Sequence, residues 1–278
     1  MMGIGIISVL LILLNCLVSY RGFKDSFFFS KYEFEVEKVT LYKDYKRLIT
    51  SGFLHNSWLH LIFNMIAILF FGFQLEDAIN PVLYLLIYLG SLGAGNYFSL
   101  LVHKHDGGYT AVGASGAVMG IIFASIALFP GMRLSFFFLP PIPAWIYGLL
   151  FVFFAIYGMR SGRYNVGHDA HLAGGLAGML LAIVTHPSVI VSNYFAIGIV
   201  AIPTIAFIIL ILKYPHLLVI DSLFKKRSSN QTLDDRYNMS KKTREEEIDR
   251  ILEKIHKKGM KSLTSEEKSM LEEFSNNQ

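Results

Sequence analysis

The sequence has 278 residues, 53% of them hydrophobic and 17% charged, with a formal net charge of +4 and a mean hydropathy of +0.47. Soluble domains of this length rarely reach such a hydropathy, because their surfaces carry more charge. Asp, Glu, Lys and Arg are absent from Ala170 to Leu212 but dominate from Lys225 onward. This distribution predicts a membrane-embedded body followed by a soluble tail. It argues against a nucleic-acid partner, since no basic patch is interleaved with aromatic residues. The single cysteine, Cys16, excludes an intramolecular disulfide.

Seven apolar runs follow one another along the chain. They cover residues 3–19, 57–75, 81–102, 113–129, 138–157, 169–186 and 191–212. Because a helix of ~20 residues spans the ~30 Å hydrocarbon core, most of these runs can cross a bilayer. The short fourth run begins with glycines, which is typical of a helix lying partly in a water-accessible cavity. We expect an all-α, polytopic bundle of seven helices, with the first run retained as a span rather than removed as a signal peptide. Prolines mark two helix starts, Pro81 in the first turn of the third run and Pro140, Pro141 and Pro143 before the fifth.

Two long segments lie outside the runs. The first loop, residues 20–56, mixes charged and aromatic side chains, which fits either a segment lying at the membrane interface or an ordinary solvated loop. The tail, residues 221–278, predicts a helical hairpin with a docking or regulatory role and an unknown partner. One signal is an apolar stripe at helical spacing, formed by Ile248, Ile251, Leu252 and Ile255. The other is two capping-box pairs, Thr243 with Glu246 and Thr264 with Glu267.

Four polar residues stand at the beginnings of apolar runs. His60 and Asn64 open the second run, Ser115 opens the fourth and His171 opens the sixth. Polar groups within a bilayer are costly, so each is a candidate for function. Runs two, four and six pass through the membrane in the same direction, which places all four groups near one face. A serine hydroxyl becomes a good nucleophile when a neighbouring base takes its proton, and His171 can be that base.

Small residues and hydrogen-bond donors complete this candidate site. Glycines four residues apart allow the fourth and sixth helices to approach closely; they are Gly116 and Gly120, and Gly174 and Gly178. His60 and Asn64 share one helix face and can point at a common oxyanion, while Gly113 leaves room for an acyl group. The backbone N–H of Ser115 is a further donor. Each residue alone also fits a plain role in helix packing, so the residues by themselves leave both interpretations open.

Three motifs resemble those of rhomboid intramembrane serine proteases. They are GASGAVMG at 113–120, similar to the family's GxSG motif, His60-Leu-Ile-Phe-Asn64, similar to its HxxxN motif, and the run from Ala170 to Gly178, similar to AHxxGxxxG. The stretch from Arg47 to His55 resembles the end of the family's first loop. The resemblance implies a six-helix core at residues 1–187, an additional transmembrane helix at 188–220 and the soluble tail at 221–278.

The resemblance also implies a function. Ser115 and His171 would form a dyad without an acidic third member, His60, Asn64 and Gly113 would serve the oxyanion, and the substrates would be transmembrane segments of other proteins. It implies no cofactor and no metal. We expect a multi-pass protein of a bacterial cytoplasmic membrane. Two alternatives remain, a catalytically silent rhomboid-like protein that binds membrane proteins, and a small transporter.

The sequence departs from the family pattern at one position near the base. Many relatives have an aromatic residue four positions after the serine, stacked on the base, where this chain has Met119. Asp169 precedes His171 by two residues and points away from it, so we expect an N-cap instead of a catalytic acid. His55 and Glu76 match positions that are structural in relatives.

The orientation in the membrane is left open by two conflicting signals. Basic residues concentrate in the first loop, at Arg160 and Arg163, and in the tail, which a seven-helix bundle places on one side. The positive-inside rule makes that side cytoplasmic, whereas family members open their site to the extracytoplasmic side. We follow the family on the face that carries the site.

Overall fold

The computed structural model describes residues 5–134, 141–160 and 167–213, together with residues 251, 254, 255 and 263. Within these ranges, one long helix forms at each of the seven predicted runs. The helices are α1 (Ile6–Lys24), α2 (Trp58–Ala78), α3 (Pro81–Val102), α4 (Ser115–Leu128), α5 (Ala144–Arg160), α6 (His168–Thr185) and α7 (Tyr194–Lys213). Four of them, α1, α2, α3 and α7, are long and apolar enough to cross a membrane. The predicted all-α membrane bundle is thus confirmed.

Local sequence explains where several helices begin. Pro81 is the first residue of α3, and the side chain of Asn80 accepts a hydrogen bond from the Val82 N–H at 2.8 Å. The Ser57 hydroxyl accepts from the His60 N–H at 3.2 Å and caps α2. Pro143 directly precedes α5, as predicted. These side chains satisfy, or remove, backbone donors that a helix start leaves without intrahelical partners.

Helices α3, α4 and α6 form the most closely packed part of the bundle, because glycines line their contacts. A methyl group added to Gly178 of α6 would lie 2.6 Å from the carbonyl carbon of Gly120 in α4. One added to Gly174 would lie 2.5 Å from the carbonyl oxygen of Gly116. One added to Gly120 would collide with the side chain of Ser91 in α3. The helix backbones are therefore in direct contact, which a larger side chain would prevent.

The first loop is folded against the bundle. It contains short helices and a 3₁₀ turn, which are Ser26–Tyr32, Val36–Thr40, Arg47–Thr50 and Ser51–Phe53. Strand β1 (Phe34–Glu35) pairs antiparallel with β2 (Thr110–Ala111) from the segment before α4. The buried Arg47 guanidinium donates to the carbonyl oxygens of Ser30 and Glu33, both at 2.8 Å. These bonds connect the loop to itself and to the entry of α4.

Several smaller features lie within and between these helices. Helix α2 contains a π-helical segment at Ile68–Gly72, and α7 contains Pro203. Strands β3 (Arg133–Leu134) and β4 (Ile142–Pro143) pair antiparallel before α5, and a short helix at Val189–Ser192 precedes α7. At the start of α1, the buried Glu76 carboxylate accepts from the N–H groups of Ile7 and Ser8 at 2.7 and 2.8 Å. Glu76 thus fastens α1 to α2.

Most of the predicted tail lies outside the described residues. Ile251 and Ile255, two members of the predicted apolar stripe, are helical, and Ile251 is buried. The other two members, Ile248 and Leu252, and both capping-box pairs fall outside the described ranges. The helical hairpin and the domain boundaries therefore stay predictions.

The contact between α4 and α6 yields a stability test. We expect Gly178→Ala to lower the free energy of unfolding by about 3 kcal/mol, because the added methyl meets backbone that cannot move aside. The measurement is denaturant titration in mixed micelles. Gly198→Ala in α7 is the matched control, since its methyl would lie 3.7 Å from the Ile202 side chain, an ordinary contact. Equal stability of the two variants would contradict a tight contact at Gly178.

Candidate active site

Ser115 is the first residue of α4, and the turn before it is held from the first loop. Gly113 has φ +129°, a backbone conformation that residues other than glycine rarely adopt. Its N–H donates to the Ser51 carbonyl oxygen at 3.0 Å. The next N–H, of Ala114, is directed at Nε2 of His55 at 3.5 Å. The position of Ser115 therefore depends on residues about 60 positions earlier in the chain.

His171 lies in the first turn of α6 and meets Ser115. Its Nε2 atom is 2.5 Å from Oγ of Ser115. The imidazole is 8% exposed and the serine is half-buried. When the ring is neutral with its proton on Nδ1, Nε2 accepts the hydroxyl proton of Ser115. Such a pair can raise the nucleophilicity of a serine by general-base catalysis.

His60 and Gly113 lie beside the same serine. A methyl group on Gly113 would be 2.8 Å from Nε2 of His60 and 3.7 Å from Oγ of Ser115. The space that glycine leaves open is therefore bordered by the imidazole and the hydroxyl. Asn64 is buried one turn further along α2, where its Nδ2 donates to the His60 carbonyl oxygen at 3.0 Å. That bond uses one of the two amide hydrogens of Asn64.

His55 connects the turn before Ser115 to α1, a contact that sequence reasoning did not foresee. The Ser19 hydroxyl donates to the Phe53 carbonyl oxygen at 2.9 Å, so it accepts from Nδ1 of His55 at 2.8 Å. Nε2 of His55 is then left as an acceptor for the Ala114 N–H. Burial, and secondly the neighbouring His60, lower the pKa of His55 to about 3, which keeps the ring neutral in this role.

The structure corrects the expectation for Asp169. The N-cap of α6 is Gly167, without a side-chain capping bond, and Asp169 lies in the first turn. Its Oδ2 atom is 3.4 Å from Nε2 of His103, whose ring stacks on Tyr109 with centroids 3.6 Å apart. The N-cap prediction was wrong because Gly167 takes that position two residues earlier. The carboxylate instead fastens α6 to the segment between α3 and α4.

Rings from α5 and α6 lie beside His171. The Phe151 ring of α5 lies 5.6 Å from the His171 ring, and the His168 ring lies 5.8 Å from it. Met119, one turn after Ser115, is 2% exposed. Sequence patterns did not identify Phe151, because they do not show which α5 residue faces α6. Among the described residues, no group of three or more His, Cys, Asp or Glu side chains is placed to hold a metal ion.

Comparisons with known proteins agree with the fold and with the sequence motifs. The rhomboid domain model matches residues 42–188, more than half of the chain, and the DUF6576 family of unknown function matches residues 231–277. The chain belongs to the rhomboid family and is an integral membrane protein.

Relatives come from several organisms. RHOMBOID-like protein 12, mitochondrial, from Arabidopsis thaliana is 32% identical over 142 residues, which cover 46% of this chain and 42% of the relative. Rhomboid protein 1, mitochondrial, from Saccharomyces cerevisiae is 32% identical over 152 residues, covering 51% and 43%. A putative rhomboid protease from Bacillus subtilis is 40% identical over 75 residues, covering 27% and 37%. The chain spans less than half the length of these relatives, and their names do not support our expectation of a bacterial cytoplasmic membrane.

The contact between Gly113 and His60 yields a reactivity test. We expect Gly113→Ala to slow labelling of Ser115 by a fluorophosphonate about tenfold or more, because the methyl group displaces His60 and strains the turn. Gly108→Ala in the same segment is the matched control, since its methyl would meet only the Asp106 side chain at 3.8 Å. The label is quantified per folded protein. Unchanged labelling of Gly113→Ala would contradict the close approach of His60 to Ser115.

Proposed function

We propose that this rhomboid family member is an intramembrane serine endopeptidase that cleaves transmembrane segments of other proteins. The observation that carries the proposal is the 2.5 Å approach of His171 Nε2 to Ser115 Oγ. Polar groups in a bilayer are costly. Two polar side chains that meet between apolar helices are therefore candidates for a shared chemical function. Base-assisted attack by serine is the reaction that this pair can perform.

The reaction begins with proton transfer from Ser115 to Nε2 of His171 as Oγ attacks the scissile carbonyl carbon. The oxyanion that forms is stabilised by the Ser115 N–H at the start of α4, and by His60 and Asn64 from α2. His171 then gives its proton to the departing amine, and an acyl-enzyme remains on Ser115. In the second half His171 takes a proton from water, the hydroxide attacks the ester, and Ser115 regains its proton. No cofactor enters these steps.

The lipid-facing surface of the bundle indicates where the substrate comes from. Beside the site, α2 exposes large apolar side chains, with Leu59 62% and Phe63 63% exposed. Such a surface is covered by lipid or by another apolar helix. A transmembrane segment of another protein can therefore lie next to α2. To reach Ser115, the helix of that segment must unwind locally, because an intact helix hides its carbonyl carbons.

The proposal includes the arrangement of the whole chain. Residues 1–187 form the catalytic core with the first loop at 20–56, residues 188–220 form an additional transmembrane helix, and residues 221–278 form a soluble tail. The two matched family ranges, 42–188 and 231–277, support a division into a rhomboid part and a separate tail. They lie on either side of α7.

A second candidate is a rhomboid-like protein that binds membrane proteins without cleaving them. The Presenilin-associated rhomboid-like protein, mitochondrial, of Rattus norvegicus, 29% identical over 135 residues, is named for an association. The paired Ser115 and His171 favour the protease, because a binding protein has no use for a hydrogen-bonded nucleophile and base.

Cleavage by the purified protein tests the proposal. In liposomes containing a transmembrane substrate, Ser115→Ala and His171→Ala should each lower the cleavage rate at least about a thousandfold, because each removes a reacting group. Ser125→Ala in α4 and His186→Ala at the end of α6 are the matched controls, and both should retain activity. Cleavage that survives either dyad substitution would refute the assignment. A wild type that cleaves none of several substrates would favour the binding protein.

A further inference from the structure

Among the described residues, the ring of His171 makes one side-chain hydrogen bond. Nε2 contacts Ser115, whereas Nδ1 is buried and has no hydrogen-bond partner within the part of the chain that the structure describes. A catalytic histidine whose Nδ1 bonds to a carboxylate is fixed in orientation by that bond. Asp169 does not act in this way, because its Oδ2 atom lies 3.4 Å from Nε2 of His103. Beyond the bond to Ser115, the contacts that the described residues offer to orient the His171 ring are packing contacts.

Four rings form a zigzag between α5 and α6. Phe151 and Phe154 are three residues apart on α5, and His168 and His171 are three residues apart on α6. The centroids of the Phe151 and His171 rings are 5.6 Å apart, with an interplanar angle of 52°. His171 contacts His168 at 5.8 Å and 89°, and His168 contacts Phe154 at 5.8 Å and 78°. These are the tilted and edge-to-face geometries that aromatic rings prefer.

The helix that carries Phe151 is itself fixed in place. Val152 and Ala155 of α5 are fully buried. A methyl group on Gly148 would lie 2.5 Å from the Ile126 side chain of α4 and 3.4 Å from Val200 of α7. Helix α5 is thus packed closely between α4 and α7 near Gly148, one turn before Phe151. A ring on such a helix is a firm support.

We propose that Phe151 is a positioning residue that holds the His171 imidazole in line with Ser115, with the His168 ring supporting it from the same helix as the base. This rests on the proposed function. On the serine side, Met119 is buried one turn after Ser115 and offers no ring plane. Without Phe151, the imidazole gains freedom to rotate about its hydrogen bond to Ser115, and fewer encounters have the geometry for proton transfer.

The test compares three substitutions at position 151 with one at a lipid-facing ring. Phe151→Leu and Phe151→Met remove the ring and keep an apolar side chain, whereas Phe151→Tyr keeps the ring. Phe153→Leu is the matched control, because Phe153 lies on the same helix and is 55% exposed. Each variant is assayed in liposomes for kcat and KM with one transmembrane substrate, for the rate of fluorophosphonate labelling of Ser115, and for its midpoint of thermal unfolding.

We expect Phe151→Leu and Phe151→Met to lower kcat and the labelling rate about tenfold, with KM changed less than about twofold, because only the base is displaced. Phe151→Tyr should restore kcat to within about threefold of the wild type, since it restores the ring beside the base. Phe153→Leu should match the wild type. At the second ring, His168→Leu should lower kcat and His168→Phe should lower it less, since a ring is the required feature, and equal kcat of the two variants would contradict the supporting role of His168.

The outcomes separate this inference from the proposed function. Wild-type activity in Phe151→Leu or Phe151→Met, a change in KM alone, or failure of Phe151→Tyr to restore kcat in a folded protein would each overturn the positioning role and leave the dyad intact. If either apolar variant unfolds, the other supplies the measurement, and unfolding of both would make Phe151 a structural residue and overturn the inference. A wild type that neither cleaves nor labels overturns both proposals.

Discussion

Direct backbone contact between α4 and α6 is the constraint on which the rest of the site depends. Ser115 and His171 each lie in the first turn of their helix, so the distance between their side chains follows the distance between the helix axes. Methyl groups on Gly174 or Gly178 would collide with backbone atoms of Gly116 or Gly120 in α4. In a bilayer, burying apolar area adds little to helix association, so close packing supplies the attraction. The glycines therefore allow α4 and α6 to pack closely and also bring Ser115 Oγ and His171 Nε2 within hydrogen-bond distance.

The first loop makes a second contribution, because a close helix pair alone does not orient the turn before Ser115. Two consecutive N–H groups of that turn, at Gly113 and Ala114, are directed at Ser51 and His55 of the loop. His55 is tied in turn to Ser19 of α1. The loop, α1 and the start of α4 thus form one hydrogen-bonded unit, which fixes Gly113 against His60. Folding of the loop is consequently linked to the shape of the space between Gly113, His60 and Ser115.

Much of this arrangement was visible in the sequence, and the rest was hidden for physical reasons. Apolar runs predicted the membrane bundle and the places where its described long helices lie, since bilayer thickness imposes a length and a composition. Spacing along each helix indicated which polar groups share a depth. It did not reveal Phe151 or the contacts of His55, because periodicity defines a face within one element and says nothing about the neighbour that the face meets. The contact of Asp169 was hidden for the same reason, because His103 lies at the end of a different helix, α3.

The contacts of Asp169 bear on how the His171 ring is held. Asp169 is two residues from His171 and is 2% exposed, yet its charge is directed to His103, which stacks on Tyr109. Tyr109 packs on Phe34 of β1 and directly precedes β2. The acidic group near the site therefore faces the segment that leads to Ser115, and within the described ranges Nδ1 of His171 has no hydrogen-bond partner. If Phe151 has the positioning role that we propose, rings from α5 and α6 orient the imidazole instead. In the serine protease that we propose, packing would fill the role that a third catalytic residue fills through a hydrogen bond.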